Sequence, residues 1–216
     1  MTESMRRAYA DRARYLGDPD VVEMPLERLA SKAHAATHRR SINLRKASVS
    51  SPESFSWPAE SPQTTHFSVI DGERNAVSLT YTLEQSYGSG IVVPGGGFLL
   101  NNQMGDFNAG PGLTDSAGLI GTPANLAEPG KRMLSSMSPT IVSRDGDVFM
   151  VTGTRGGRTI INTVAQTILN VVDHGANAQT AVDLGRIHHQ WLPDVIRYEP
   201  LAFSPDTLQR LRSRGH

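Results

Sequence analysis

The sequence predicts a fold in which helices pack on sheets, of either the α/β or the α+β class. Three observations support this expectation: a helical stretch at the start of the chain, a block of alternating apolar and polar residues in its middle, and amphipathic helical stretches after that block. Elements in this order are typical of domains built from layers of helix and sheet. With 216 residues, the chain has the length of one ordinary domain or of a large piece of a longer protein.

Four helices are predicted from apolar residues that recur at helical spacing and from residues that suit helix ends. Glycine after the first stretch favours an end there, and proline at the start of the second favours a beginning. Asn177 is a candidate cap for a further short helix. The four predicted helices cover residues 4–15, a stretch from Pro25 through Ala36, residues from about 158 to 173, and a last stretch from Ser204 to near Gly215.

The strands are predicted from period-two alternation and from the turn residues between alternating runs. The sequence Asp145-Gly146-Asp147 between two such runs is a hairpin signal. The predicted strands cover residues 65–71, 77–82, 97–100, 139–144 and 148–152.

The register of the first hairpin follows from its turn. If Asp71 pairs with Asn75 across the three residues between them, Thr64 lies directly opposite Thr82. Opposed residues in an antiparallel pair have Cβ atoms roughly 4.5–5.5 Å apart, which allows their hydroxyls to form a hydrogen bond. A slip of one residue would move Thr82 to the other face of the hairpin.

Composition and charge exclude several classes of protein. The chain has 21 basic and 21 acidic residues, so it lacks the positive charge expected of a protein that binds nucleic acid or a membrane surface. No apolar run approaches the roughly 18 residues that a spanning helix needs. Without cysteine there is no disulfide framework and no thiol nucleophile. Residues 1–14 are charged and lack an apolar core, so we expect no secretory signal there.

Thr64 is the candidate nucleophile because of its place in the sequence. It follows residues 46–63, a stretch rich in Ser and Pro that predicts a mobile linker. Breaking the Gln63–Thr64 bond would give Thr64 a free α-amine with a pKa of about 7.7–8.0, so that one residue would hold both the nucleophile and its base. Thr82 would then orient the Thr64 hydroxyl. Taken alone, such a threonine pair is more often an ordinary cross-strand contact.

Five motifs occur in order along the chain: Thr64-Thr65-His66-Phe67-Ser68-Val69, Thr80-Tyr81-Thr82-Leu83-Glu84, Leu99-Leu100-Asn101-Asn102-Gln103-Met104 with Asp106, Ser135-Ser136-Met137-Ser138-Pro139-Thr140, and Gly156-Gly157. Together they resemble the gamma-glutamyltransferase family, the glutathione hydrolases of the N-terminal-nucleophile superfamily. The resemblance implies an α+β fold, a four-layer αββα sandwich that is only partly present here. Residues 1–63 resemble the end of the family's large subunit, and residues 64–216 resemble its complete small subunit.

The resemblance also implies chemistry and residue roles. The precursor would cleave itself between Gln63 and Thr64, and Thr64 would then form a γ-glutamyl ester that water or an amine resolves, as hydrolysis or transpeptidation. Glutathione is the expected donor, and neither a cofactor nor a metal is expected. Gly156 and Gly157 would form the oxyanion hole. The remaining residues would contact the substrate: Ser135 and Ser136 its α-carboxylate, Glu84 and Asp106 its α-ammonium group, and Gln103 as a further polar contact.

The sequence departs from the family pattern at several points. Most of the large subunit, including the arginine that contacts the substrate carboxylate, is missing, so we expect the chain to depend on that portion as a partner. Glu84 stands where some members have asparagine, and others carry Glu. Ala117, within residues 111–123, stands where some members have an aromatic residue in a loop that covers the pocket, and Arg155 stands where proline is often found.

Three alternatives remain open from the sequence. The chain could be a related amidohydrolase, such as a cephalosporin-type acylase or a poly-γ-glutamate hydrolase, or a truncated fragment without catalysis. His188 and His189, with Asp194 nearby, could ligate a metal, although adjacent histidines on a strand face opposite sides and favour a structural role.

Members of the family are commonly exported, which suggests a periplasmic or secreted location.

Overall fold

A computed structural model of the chain describes residues 1–51, 64–108, 110–111 and 122–216. As the sequence predicts, helices come first along the described chain, a block of strands follows, and further helices come after that block. In order they are α1 (Thr2–Tyr15), α2 (Leu26–Leu29), α3 (Lys32–Ser41), β1 (Thr65–Ile70), β2 (Ala76–Tyr81), β3 (Thr140–Arg144), β4 (Asp147–Thr152), α4 (Thr159–Val172), α5 (Ala178–Asp183), β5 (Ile187–His188), β6 (Arg197–Tyr198) and α6 (Pro205–Ser213).

The chain folds into two compact units, and the described strands form three two-stranded antiparallel sheets. The first unit comprises Met1–Ala59, Asp106–Leu134 and Leu184–His216, and it holds β5–β6 with helices α1, α2, α3 and α6. The second unit comprises Glu60–Gly105 and Ser135–Asp183, and it holds β1–β2, β3–β4, α4 and α5.

Helix α1 provides much of the core of the first unit. Its residues Met5, Tyr9 and Ala13 are spaced four apart and are buried on one face of the helix. The Tyr9 ring meets the His188 ring edge to face, with 5.6 Å between the ring centroids. Tyr9 is only 1% exposed, so this contact lies at the centre of the unit.

A buried arginine joins three parts of the chain in the first unit. The Arg6 guanidinium forms an ion pair with Glu3 at 3.1 Å and another with Asp194, and it donates a hydrogen bond to the Ser50 hydroxyl. The Asp194 carboxylate also accepts from the Ser50 backbone N–H at 2.7 Å. Because a buried charge is costly unless it is paired, this network fixes the segment around Ser50 against α1 and the last third of the chain.

The second predicted helix is interrupted, and its structure corrects the sequence prediction. The stretch that begins at Pro25 ends after one turn at Leu29, and α3 begins separately at Lys32. Ser31 is the reason for the new start, because its side chain accepts a hydrogen bond from the His34 N–H at 3.1 Å. The spacing of apolar residues alone could not reveal this cap.

The hairpin register predicted from the turn is confirmed. The Asp71 N–H donates to the Asn75 carbonyl at 3.1 Å, and Thr65 lies opposite Tyr81. The second predicted hairpin is also present, as β3 and β4, with a register shift between Val142 and Ser143. The predicted strand at 97–100 is wrong, because the segment forms an isolated bridge between Val92 and Leu99, with backbone hydrogen bonds to residues 89–93, and not a strand.

Ser78 connects the two hairpins of the second unit. Its hydroxyl donates to the Thr152 carbonyl at 3.0 Å and accepts from the Thr140 N–H at 3.0 Å. This side chain therefore joins β2 to the adjacent ends of β3 and β4. These contacts fix the end of β4 beside β1 and β2, which carry the candidate nucleophile at their open end.

One face of the β1–β2 hairpin is apolar and exposed over the described residues. Opposed pairs of large side chains lie along it, at 39–59% exposure: Phe67 with Leu79, Val69 with Val77, and Tyr81 opposite Thr65. A contiguous apolar face of this kind is unusual on a protein that exists alone.

The described helices are all too short or too polar to cross a membrane. This agrees with the absence of a long apolar run in the sequence.

We predict that the first unit loses stability below neutral pH because of His189. Burial, and to a lesser degree the Arg6 charge, lowers the pKa of His189 to about 4, whereas the unfolded residue titrates near 6.5. The unfolded chain therefore binds more protons as the pH falls from about 6.5 to 4, and the free energy of unfolding decreases. Between pH 7 and pH 5 we expect a decrease of about 2 kcal/mol from this group, measured by urea unfolding.

His189→Gln should remove most of this pH dependence, and His174→Gln, which changes an exposed histidine, should retain it. Burial also lowers the pKa of His66 and of His216, so the difference between the two variants isolates the His189 contribution. An unchanged decrease in His189→Gln would contradict the assignment.

Candidate active site

Thr64 and Thr82 lie opposite each other at the open end of the β1–β2 hairpin. Thr64 directly precedes β1 and Thr82 directly follows β2, in the register that the turn predicts. The Thr64 hydroxyl donates to the Thr82 hydroxyl oxygen at 3.4 Å, and that oxygen also accepts the Glu84 N–H at 2.9 Å. The second contact fixes the Thr82 side chain, so the Thr64 oxygen has an oriented partner.

A cavity of about 260 Å³ opens beside the two threonines in the second unit. It is lined by Thr64, Thr65, Tyr81, Thr82, Leu83, Gln85, Ser86 and Arg155. Among these described lining residues, Arg155 carries the single formal charge, and its guanidinium forms no ion pair or hydrogen bond with another described residue. The cavity therefore combines the hydroxyl of the candidate nucleophile with a positive charge, a setting that suits an anionic group.

The glycine pair lies in the loop between β4 and α4, directly after Arg155. Gly156 has φ +133° and Gly157 has φ +55°, both in the region of backbone space that favours glycine. Their carbonyls accept hydrogen bonds from the first turn of α4, from Thr159 at 3.1 Å and from Ile160 at 3.2 Å. Over the described residues, no hydrogen bond is found from the N–H of either glycine, so both donors remain available to a developing oxyanion at a helix start.

Glu84 lies against the chain at Gly105. It has φ +72°, which is uncommon for a residue with a side chain, and a Cβ placed on Gly105 would be 2.7 Å from its Oε1. The Gln103 N–H donates to the Asn101 side chain at 3.1 Å, at the start of the 3₁₀ turn Gln103–Asp106. Asp106 belongs to the first unit, where its carbonyl accepts from the Asn125 side chain at 2.7 Å.

The two serines lie in the loop before β3. The exposed Ser135 accepts the Met137 N–H at 3.1 Å, and the buried Ser136 accepts the Ser138 hydroxyl at its carbonyl, also at 3.1 Å. Both are short-range hydrogen bonds of the kind that serine typically makes in turns.

The structure brings some of the predicted residues together and leaves others apart. Thr64 and Thr82 line the cavity, whereas Glu84, Gln103, the serine pair and the glycine pair are not among its described lining residues. Gln63 and Ala117 lie outside the described residues.

His66 lies near the site, and the sequence alone did not indicate that it positions the strand next to Thr64. Its Nδ1 contacts the Thr80 hydroxyl at 2.9 Å and its Nε2 contacts the Ser68 hydroxyl at 3.0 Å. A Cβ on Gly153 would be 2.2 Å from the ring, so glycine is required there for β4 to approach β1. Burial lowers the pKa of His66, which favours a neutral ring that positions the strand carrying Thr64.

His188 and His189 have separate hydrogen-bond partners, which supports the structural role favoured by their adjacency. His188 Nε2 contacts Gln190 Oε1 at 2.8 Å. His189 uses both ring nitrogens, with Nε2 at 3.1 Å from Asp194 Oδ1 and Nδ1 accepting the Trp191 N–H at 3.0 Å.

Solved structures share the fold of this chain. A point mutant of Helicobacter pylori gamma-glutamyltranspeptidase matches with a TM-score of 0.66 and 49% identity, over 70% of this chain and 82% of that chain. The enzyme from Pseudomonas nitroreducens complexed with L-DON matches with a TM-score of 0.64 and 49% identity, over 70% and 80%. The fold is therefore that of an N-terminal-nucleophile hydrolase, which confirms the predicted class. The family model described as gamma-glutamyltranspeptidase matches residues 1–216, and the chain belongs to that family.

Curated relatives are similar over the whole chain. The glutathione hydrolase proenzyme of Escherichia coli (strain K12) is 50% identical over 218 residues, which cover 100% of this chain and 37% of the relative. That of Pseudomonas sp. (strain A14) is 48% identical over 214 residues, with 99% and 37% covered. The chain thus spans little more than a third of the length of these relatives.

Proposed function

We propose that this chain is the catalytic part of a gamma-glutamyl hydrolase and transpeptidase that becomes active after cleavage between Gln63 and Thr64. The observation that carries the proposal is the Thr64 hydroxyl, which is 3.4 Å from the Thr82 oxygen and lines a cavity in a chain of this family. The names of the relatives, glutathione hydrolase proenzyme, support both a cleaved precursor and glutathione as the donor.

Cleavage would begin with attack of the Thr64 hydroxyl on the Gln63 carbonyl. The bond to the Thr64 nitrogen breaks as an ester forms to the Thr64 oxygen, and water then hydrolyses that ester. The products are a carboxylate at Gln63 and a free amine at Thr64. This amine has a reference pKa of about 7.7–8.0, so it can accept the hydroxyl proton near neutral pH.

In turnover, the Thr64 oxygen would attack the γ-carbonyl of the substrate while the Thr64 amine takes its proton. The Gly156 and Gly157 N–H groups would donate to the oxyanion, each such donor being worth roughly 2.7–4 kcal/mol in related acyl transfers. The proton then passes to the leaving amine, and a γ-glutamyl ester remains on Thr64. Water converts the ester to glutamate, and an amino acid or peptide amine converts it to a new γ-glutamyl amide.

We assign the recognition of the γ-glutamyl head group to the residues outside the cavity lining. Ser135 and Ser136 would donate to the α-carboxylate, and the carboxylates of Glu84 and Asp106 would attract the α-ammonium group. Gln103 would add a polar contact. In this proposal the site is complete only with the rest of the large subunit.

The exposed apolar face of β1–β2 supports a need for that portion. Its large side chains are 39–59% exposed, and burial of their remaining apolar area would stabilise an assembly in proportion to that area. We therefore propose the preceding large-subunit portion as the partner that covers this face.

The function is tested by supplying that portion with the chain and comparing two chromogenic amides. We expect release of p-nitroaniline from γ-glutamyl-p-nitroanilide and little from glutaryl-p-nitroanilide, which keeps the corresponding carboxylate but lacks the α-ammonium group that Glu84 and Asp106 would attract. Preference for the glutaryl compound would indicate an acylase instead, and no turnover of either would indicate a fragment without catalysis.

We predict that Thr82→Val slows both self-cleavage and turnover by about 10–100-fold, because it removes the hydrogen bond that orients the Thr64 hydroxyl. Valine has nearly the same shape, so far-UV circular dichroism should remain unchanged. Thr82→Ser keeps the hydroxyl and should retain most of the rate, as followed by mass spectrometry and p-nitroaniline release. Wild-type rates in Thr82→Val would show that the pair is an ordinary cross-strand contact.

Arg155 should discriminate between donors with and without a charged leaving group. Glutathione leaves as a dipeptide with a carboxylate, whereas p-nitroaniline is uncharged. We predict that Arg155→Gln raises KM for glutathione by about tenfold, equivalent to about 1.4 kcal/mol, and changes KM for γ-glutamyl-p-nitroanilide far less. Arg39→Gln makes the same charge change at an exposed site and should alter neither. Equal effects on both donors would contradict this role.

A further inference from the structure

Two histidines and an aspartate converge between α1 and α3 in the first unit. His34 and His38 are one helical turn apart on α3, and Asp11 lies on α1. His34 Nε2 and His38 Nε2 are each 2.7 Å from the same oxygen, Asp11 Oδ2. Three possible ligand atoms, a carboxylate oxygen of Asp11 and one ring nitrogen each of His34 and His38, lie within 4.8 Å of one another.

The three side chains are partly sheltered and partly open to solvent. Their exposed fractions are 21% for Asp11, 17% for His34 and 31% for His38. The two rings lie edge to face, with 4.4 Å between their centroids. All three side chains therefore retain some contact with solvent, from which a small ion could bind.

The helix that carries the histidines is held at both ends. Ser31 caps the start of α3 by accepting the His34 N–H. At the other end, Arg7 on α1 donates to the Ser41 carbonyl at 3.0 Å and to the Ser41 hydroxyl at 2.8 Å. Because Arg7 is one turn from Asp11 on the same helix, the spacing between α1 and α3 is fixed beside the cluster. A preorganised set of donors binds an ion with little ordering cost.

The donor set fits one class of ion. Imidazole nitrogen suits zinc, copper, nickel and iron, and a single carboxylate oxygen completes common zinc sets, whereas calcium and magnesium prefer oxygen donors alone. Two histidines at positions i and i+4 on one helix face form the usual local unit of a zinc site. With bonds of about 2.0–2.2 Å in a tetrahedron, donor atoms lie about 3.3–3.5 Å apart, so the present 2.7 Å contacts need to open by about half an ångström or more.

We propose that Asp11, His34 and His38 form a binding site for one divalent transition-metal ion of the zinc type, with water in the fourth position. Each imidazole binds through Nε2 and carries its proton on Nδ1, so the ion takes the place of the two hydrogen bonds to Asp11. The site joins α1 to α3 and is independent of the Thr64 cavity, which belongs to the second unit.

The experiment uses the full chain without an affinity tag, treated with a chelator that is then removed, and titrated with Zn²⁺ in a calorimeter. We expect one equivalent to bind with a dissociation constant in the micromolar range or below, and a rise in melting temperature. Co²⁺ should give the visible absorption of a tetrahedral nitrogen and oxygen site, while Ca²⁺ should give neither heat nor a shift.

Asp11→Asn and His38→Gln should each weaken Zn²⁺ binding by tenfold or more and abolish the Co²⁺ absorption. His174→Gln removes an exposed histidine of the second unit and should bind as the wild type does. His38 is the most exposed member, so its variant is expected to keep the wild-type circular dichroism spectrum without metal. Absence of saturable one-to-one binding, or an equal loss of Zn²⁺ affinity in His38→Gln and His174→Gln, would overturn the proposal. The cluster would then be a structural hydrogen-bonded contact between α1 and α3.

Discussion

Thr64→Ala is expected to remain a single chain of 216 residues, while the wild type, with the large-subunit portion supplied, separates into pieces that begin at Met1 and Thr64. Alanine removes the oxygen that attacks the Gln63 carbonyl in this proposal, together with the hydroxyl that contacts Thr82. Intact-mass spectrometry gives both outcomes directly. The variant should also lose γ-glutamyl-p-nitroanilide turnover entirely, because a chain that is not cut has no free amine to act as the base.

Thr65→Ala is the matched control, since Thr65 is adjacent, lines the same cavity and is exposed. We expect it to cleave and to turn over substrate at rates close to those of the wild type. Cleavage of Thr64→Ala at the same bond would assign the reaction to another group. Cleavage without subsequent activity in the wild type would separate processing from the proposed enzyme function.

The second large effect is expected from Gly156→Ala. At φ +133° a side chain is strained, and its Cβ would be 2.5 Å from the Thr159 hydroxyl, so the loop has to shift and the N–H groups of the glycine pair change direction. We expect kcat to fall by about 10²–10³-fold, the loss that follows removal of one oxyanion donor elsewhere. KM should change little, because the effect falls on the transition state.

Gly146→Ala controls for the backbone strain. Gly146 has φ +90° in the β3–β4 turn with open space around its Cβ position, so this variant should lose stability and retain kcat. Chemical unfolding measures the stability of both variants, and single-turnover kinetics measures ester formation. If the two variants lost activity in equal measure, general destabilisation rather than the oxyanion hole would explain the loss.

The local structure was predictable where a short-range rule fixes it. The turn between Asp71 and Asn75 sets the register of β1–β2, and this register determines that Thr64 meets Thr82. Helix α4 was predicted from apolar residues at helical spacing, Ile161, Val164, Ile168, Val171 and Val172, of which Val164 is buried. In these cases the contacts that determine the structure join residues within about 20 positions of each other in the sequence. The periodicity of the side chains indicates such contacts.

Contacts between distant segments were not predictable from one sequence. Nothing in the local pattern indicates that Arg6 pairs with Asp194, or that His66 packs against Gly153. The substrate residues illustrate the same limit, since their roles came from a family resemblance and their place around a substrate remains a prediction. The His34-x-x-x-His38 spacing was a readable signal, but its partner Asp11 lies 23 residues earlier on another helix.

The composition of the first unit has a consequence for the proposed cleavage between Gln63 and Thr64. Its segments come from both sides of the Gln63–Thr64 bond: Tyr9 on one side packs on His188 from the other, and the Asp18–Arg132 pair does the same. After scission, two separate polypeptides would therefore share a single hydrophobic interior. The two polypeptides should migrate as two bands after denaturation and as one particle under native conditions. Their separation requires the shared interior to unfold.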